Sequence, residues 1–303
     1  MRVHLVSDSL RYFLEVARTG SIAEASENLH IAASAISRHI ARLEQSTGAQ
    51  LFDRHPRGMV PTEAGRLLAD HARRNLLEED DLLERLRDLH RSGRSLIKVA
   101  CTEGFAEDFL PVEIARFRDT HPAARVQLTV TDPAAATQAV VTGASDVALT
   151  FSLAPAAGIR IAYSCQEPIV ALVPEGHPLL DLDAASLADL RDHPLALMAG
   201  GSTLRELVDI CCSAEGLHLE PALTSNSSAA LIALARRTGM VTLTGLLSSR
   251  HLVQDGFRTV ALTNPELHRR NLQVHTMAQR ALPEPVGAFV DQVVAALGAS
   301  GLG

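Results

Sequence analysis

Apolar positions in residues 7 to 60 recur at helical spacing in three short runs. Leu10, Phe13, Leu14 and Ala17 fall at i, i+3, i+4 and i+7 and mark one face of a first helix. Thr19-Gly20 stops it, and Ser21 is a good N-cap for the next. Ile22, Ala25 and Leu29 form the inner face of helix two. After His30-Ile31 comes a third helix with Ile36, Ile40 and Leu43 inward, ended by Gly48. Leu51-Phe52 and the basic, turn-rich stretch Asp53 to Val60 then have the look of a wing hairpin.

From Thr62 to about His90 the pattern is one long helix. Leu68, Ala72, Leu76, Leu83 and Leu86 form its seam and Thr62 its cap. Roughly 29 residues make a rod of about 43 Å. A helix with one apolar seam and an acidic run at Glu78 to Asp81 usually pairs with another, so the seam is expected to be a dimerisation surface. Arg91 to Ser95 reads as a hinge. Beyond it short strands and helices alternate: strands near 96–100, 126–130, 147–150, 159–163, 169–173, 222, 240–243 and 271–276, with helices near 103–117, 134–142, 203–214, 227–237 and 285–297. Such alternation predicts an α/β fold with mostly parallel sheets, and about two hundred residues suit two small lobes.

At 303 residues, 47% apolar and 21% charged, the chain has the composition of a globular protein of two or three domains. No stretch approaches the ~18 apolar residues of a membrane helix, and the N-terminus has no apolar signal core, so a cytoplasmic protein without membrane contact is expected. Net charge is -7, which argues against wholesale coating of nucleic acid. Residues 36 to 60 are locally positive, with Arg38, Arg42, Arg54 and Arg57 against Glu44 and Asp53. A basic patch on an acidic protein suits a small DNA-contacting surface.

That patch coincides with the outward stripe of helix three: Ser34, Ser37, Arg38, Ala41, Arg42 and Gln45. The serines let the backbone approach phosphates, and the arginines can fork onto guanine edges or phosphate in a major groove. A solvated face of an ordinary three-helix bundle needs no more than the same pattern.

Specific motifs decide between them. Leu10 to Ser26, Ala35 to Glu44, Gly48, Leu51-Phe52-Asp53-Arg54 and Thr62-Glu63-Ala64-Gly65 resemble the winged helix-turn-helix of the LysR-type regulators. Phe117 before His121-Pro122, Gly143 before Ser145 to Ala148, and Val173 to Leu179 resemble that family's effector domain. The resemblance implies a winged helix-turn-helix at 7–64, a linker helix and hinge at 65–95, and a periplasmic-binding-protein-like effector domain at 96–303. Lobe one would take about 96–164 and 268–303, and lobe two 165–267. It also implies a homodimer or homotetramer acting on a partly palindromic double-stranded DNA site, a small-molecule effector between the lobes, no enzymatic activity and no cofactor. Two positions depart from the family. Ala32 and Ala33 replace the usual Ser or Thr and Gln at the start of the recognition helix, losing a cap worth about 1 kcal/mol and an amide that reads bases. Arg237 to Val241 replaces a glycine-rich pattern.

Two segments are the main candidates for the effector. Cys101-Thr102-Glu103-Gly104 follows the first strand and opens a helix; Gly200-Gly201-Ser202-Thr203 opens another. Helix N-termini and hydroxyl donors favour an anion, although plain N-capping needs the same residues. Asn226-Ser227-Ser228 is a third patch. Glu103 repels an anion unless it turns outward or meets an amine on the ligand, which leaves both a simple acid and an amino acid open. Adjacent Cys211-Cys212 has no metal-ligand spacing and sits in an apolar stripe, the usual setting of a buried thiol. His177 in His-Pro reads as a turn residue, and no metal set is evident. An enzyme with an α/β domain lacks a visible nucleophile, base or phosphate loop. A solute-binding protein is opposed by the first 65 residues.

Overall fold

The computed structural model describes residues 7–55, 58–88, 96–153 and 156–301. The chain divides into two compact units, Met1–Gly93 and Arg94–Gly303. Arg57 of the expected wing and the expected hinge at 91–95 lie outside the described residues.

In the first unit, α1 (Asp8–Thr19), α2 (Ile22–Leu29) and α3 (Ala33–Thr47) precede a two-stranded antiparallel wing of β1 (Phe52–His55) and β2 (Gly58–Pro61), and α4 (Glu63–Asp88) follows. The helix ends have local causes. Ser7 and Ser21 accept from the amides of Ser9 and Glu24, and Gly20 and Gly48 close α1 and α3 in the left-handed region that glycine adopts at little cost. Phe13, Val16, Ala25, Ile36, Ile40, Leu51, Phe52 and Ala69 form the core, with Ile22, Leu29, Leu43 and Leu68 packed around it. The start of α4 is locked against the wing: Thr62 Oγ1 donates to Gln50 O at 2.7 Å and accepts from Gly65 N at 3.0 Å. A side chain at Gly65 would collide with the carbonyl of Leu51, so the Thr-Glu-Ala-Gly motif is a close backbone crossing.

Among the described residues, the second unit holds two five-stranded sheets. The first runs β4 (Arg125–Val130), β3 (Leu96–Cys101), β5 (Val147–Ser152), β12 (Asn271–Met277), β6 (Ile159–Gln166). The second runs β11 (Phe257–Ala261), β7 (Ile169–Pro174), β10 (Val241–Gly245), β8 (Leu195–Met198), β9 (Leu223–Ser225). The first lobe adds α5 (Glu103–Ala106), α6 (Phe109–Thr120), α7 (Pro133–Thr142) and α12 (Glu284–Gly298). The second adds α8 (Leu187–Leu190), α9 (Thr203–Glu215), α10 (Ser228–Thr238) and α11 (Leu246–Val253). Each sheet buries its own apolar cluster, the first around Val99, Leu149, Phe117 and Phe289, the second around Ala171, Leu197, Leu207 and Leu243.

The sheets are mixed, not mostly parallel. β3 is parallel to β4 and β5, and β8 to β9 and β10, but β12 is antiparallel to β5 and β6, and β7 to β10 and β11. The cause is the double crossing. The chain leaves the first sheet after Gln166, enters the second at Ile169, and returns to slot β12 between β5 and β6. The helix expected over 103–117 is two helices, broken at Glu107-Asp108 where Phe105 stacks on Phe151 with ring centroids 4.7 Å apart. No helix among the described residues is long and apolar enough to cross a membrane.

Candidate nucleic-acid interface and ligand cleft

On α3, Ile36 and Ile40 are fully buried, which fixes the opposite face outward. Ser34, Arg38, Ala41, Arg42 and Gln45 are exposed and Ser37 is half-buried. Arg38 Nε reaches back to the Ser34 carbonyl at 3.3 Å, while the Arg42 guanidinium stands on the same face one turn on. Arg54 is exposed on β1. Ala32 is the N-cap of α3 and makes no side-chain cap, as its methyl requires. Two motif residues have positioning roles invisible in the spacing. Glu44 Oε1 accepts from the Leu51 amide at 2.9 Å, tying α3 to the wing. The Met59 amide donates to Gly20 O at 2.8 Å, and a Cβ on Gly58 would stand 2.6 Å from that same oxygen.

The expected seam of α4 divides into two parts. Leu68 packs on the helix-turn-helix core, so the N-terminal part is used within the unit; Ala72 is fully buried. Further along, Leu76 and Leu83 are half-buried and Leu86 is 46% exposed, as is Leu82 beside it.

In the second unit a cleft of about 900 Å³ lies between the two sheets' helices. Thr102, Glu103, Gly201, Ser202, Thr203 and Asn226 line it; Cys101 does not. Strand alternation explains the difference. Cys101 points into the core of the first lobe, where burial pushes its thiol up to about 12. The capping alternative holds for two of the three segments. Ser202 Oγ accepts from Arg205 N at 3.1 Å to cap α9, and Ser227 caps α10 by accepting from Ala230 N at 3.4 Å. Thr102 is different. It makes no cap, and its Oγ1 is buried without a hydrogen-bond partner.

Glu103 neither turns to solvent nor stands free. It crosses the cleft: its carboxylate accepts from Ser227 Oγ at 2.9 Å and Ser228 N at 2.7 Å, at the start of α10. Glu107, whose carboxyl is raised first of all by burial, accepts from Ser228 Oγ at 3.2 Å. On the cleft wall, Ser248 Oγ donates to Gly104 O at 2.9 Å. At the crossing itself Arg270 and Glu167 form a fully buried ion pair; Glu167 also accepts from Leu247 N at 3.0 Å, and the guanidinium lies 3.9 Å above the Phe151 ring. Sequence reasoning missed Arg270 as a lining residue. It is one of two adjacent arginines after a short turn, and only the return of β12 to the first sheet selects it.

The four cysteines are free thiols. Burial and the neighbouring Glu266, 3.7 Å from its sulfur, raise the Cys211 thiol to about 11, and Cys212 is raised too. Both stay protonated, the inert state of a packed cysteine. His177 caps a short turn by accepting from Leu179 N at 3.2 Å. Among the described residues no cluster of His, Cys, Asp and Glu could hold a metal ion.

Comparison with known proteins agrees with this division of labour. Residues 7–66 match the bacterial regulatory helix-turn-helix protein family of lysR type, and residues 90–298 match the LysR substrate binding domain. The RuBisCO operon transcriptional regulator of Allochromatium vinosum is 30% identical over 217 residues, 71% of this chain and 70% of the relative. YeiE of Escherichia coli K12, an uncharacterised HTH-type transcriptional regulator, is 28% identical over 290 residues, 95% of this chain and 97% of its own length. HinK, a regulator of Pseudomonas aeruginosa, superposes with a TM-score of 0.56 at 25% identity, covering 96% of this chain and 98% of that one.

Proposed function

Because the chain belongs to the LysR family of bacterial transcriptional regulators, we propose that α3 and the wing read a partly palindromic operator and that an anionic small molecule in the cleft sets the regulator's activity. Regulators of this family bind DNA and are not enzymes. Ser34, Ser37, Arg38 and Arg42 on α3, with Arg54 and Arg57 of the wing, are the proposed DNA-contacting residues. The exposed basic face opposite Ile36 and Ile40 supports this: a single helix fits a major groove, and arginine forks suit guanine or phosphate.

Two such faces at paired half-sites need a dimer. We assign the pairing to α4, through Ala72, Leu76, Leu83 and Leu86, with Leu68 holding the start of the helix to the first unit's core.

The anionic effector rests on one observation. Thr102 Oγ1, buried on the cleft wall and unpartnered, lacks an acceptor or donor from the protein itself. A turn of the Thr102 side chain about χ1 would bring the hydroxyl to a ligand oxygen in the cleft, and the first turn of α9 at Gly201, Ser202 and Thr203 favours negative charge nearby. Asn226 adds a side-chain amide on the opposite wall. The experiment is a thermal-shift screen of organic acids and amino acids on the full chain, followed by calorimetry. Thr102→Val and Ser202→Ala should each weaken the hit by about 1–3 kcal/mol while leaving effector-free DNA affinity intact. A hit with no anionic group refutes the anionic assignment.

A further inference from the structure

α10 begins as an anion site and that site is already filled. Its Ser228 amide donates to one oxygen of Glu103 at 2.7 Å, and Ser227 Oγ donates to the other at 2.9 Å. The carboxylate comes from α5 on the opposite lobe, so an unneeded negative charge from the protein's own chain occupies the place a ligand anion would take. On the same cleft, two polar groups are buried and left unpaired. Thr102 is 7% exposed with no partner for Oγ1, and Arg270 is 4% exposed with no partner for Nε. Arg270 is held in place by Glu167 and the Phe151 ring, so it cannot swing away to solvent. A ligand entering this cleft therefore meets an anion position at α10 that the protein itself occupies.

We propose that Glu103 is a specificity-determining residue: by filling the start of α10 with a tethered carboxylate, it restricts the cleft to ligands with a single anionic group and turns away dicarboxylates. This rests on the cleft being the effector site. The amine that Glu103 otherwise calls for is not required, because the α10 amide and the Ser227 hydroxyl already satisfy its two oxygens. A second carboxylate on the ligand would have to displace Glu103 or lie beside it, and like charges in a partly dry site repel.

The test uses the full chain and three small probes. Amide exchange over residues 226–231 is measured by mass spectrometry in the parent and in Glu103→Ala, with and without sodium sulfate at matched ionic strength. Exchange there should rise at least ten-fold in Glu103→Ala, and sulfate should restore protection in the variant while leaving the parent unchanged. In parallel, thermal shifts are compared for succinate and propanoate. Succinate should gain over propanoate in Glu103→Ala and not in the parent. Glu103→Gln, which keeps an acceptor oxygen without the charge, guards against misfolding; it should show the succinate gain with a smaller change in exchange. Unchanged exchange in Glu103→Ala, or a parent that already prefers succinate, overturns the proposal. So does a Gln variant with the parent's preference. If the effector found by screening is neutral, the anionic-effector reading falls, and the exchange and sulfate results still judge Glu103 on their own.

Discussion

Replacing Thr102 with Val should stabilise the protein when no effector is present. The hydroxyl is the reason. Thr102 is 7% exposed, its Oγ1 has no partner, and it makes no cap on α5, so the fold bears the cost of desolvating it and receives no hydrogen bond in return. That cost is about 1–3 kcal/mol for a buried unsatisfied hydroxyl. Val is nearly the same shape and is equally content at the extended backbone of φ -81° and ψ 158°. The Thr102 backbone is unaffected, because its amide already donates to Leu149 O at 3.1 Å. For a unit of about 210 residues, Arg94–Gly303, each kcal/mol is worth roughly 2–4 °C in Tm. Calorimetry of the effector-free full chain should therefore show the effector-unit transition at least about 2 °C higher in Thr102→Val, and not in Thr102→Ser, which keeps the hydroxyl. A Thr102→Val protein that melts at or below the parent would mean the hydroxyl is satisfied within the fold and is not held for a ligand.

Glu167→Gln should cost about 3–5 kcal/mol in urea unfolding, because it leaves the Arg270 guanidinium buried without its counter-charge; Glu167→Leu with Arg270→Met should recover most of that loss, and a Glu167→Gln protein as stable as the parent would refute the role of the pair. Burial lowers the His275 imidazole from 6.5 to about 4, so the fold keeps it neutral while the unfolded chain takes up a proton below ~6.5. Stability should thus fall as pH drops from ~6.5 towards 4, by about 2 kcal/mol at pH 5, and His275→Gln should flatten that part of the urea-midpoint profile. If α4 pairs two chains as proposed, the parent should sediment as a dimer and Leu76→Glu with Leu83→Glu as a monomer, whereas an unchanged sedimentation coefficient removes α4 as the pairing surface.

The local elements were legible because their causes are local. The i, i+3, i+4, i+7 run at Leu10 to Ala17 and the Ser21 cap carry α1 and α2 whatever else the chain does. The same holds for the helix of residues 284–298 and most strand positions. What spacing could not reveal depends on distant pairing. β8 at Leu195–Met198 is a four-residue apolar run whose identity as a sheet strand comes from β9 and β10 on either side. α11 and β11 are likewise set by contacts made after the chain has crossed lobes. The direction of β12 follows from its return across the domain, which no window of sequence contains.

The cleft divides the same way. Thr102, Ser202 and Asn226 could be singled out because hydroxyls and amides at helix starts are a local signal. Whether each caps its helix is decided by geometry: Ser202 and Ser227 do, and Thr102 does not. Cys101 could not be separated from Thr102 until strand alternation placed the thiol in the core. The partner of Glu103 lies 124 residues along the chain, and the choice between an outward carboxylate and a ligand amine was resolved by neither.

The central claim, that α3 reads DNA, is tested most directly by selecting bound sites from random duplex DNA with the full chain, then measuring affinity by fluorescence anisotropy across a salt series. The account predicts a partly palindromic site with half-sites spaced by about one helical turn or a multiple of it, and binding that weakens steeply with salt. Arg38→Ala and Arg42→Ala should each lower affinity by about 1–3 kcal/mol. Enrichment of no sequence, or two alanine variants that bind the selected site as tightly as the parent, would contradict it.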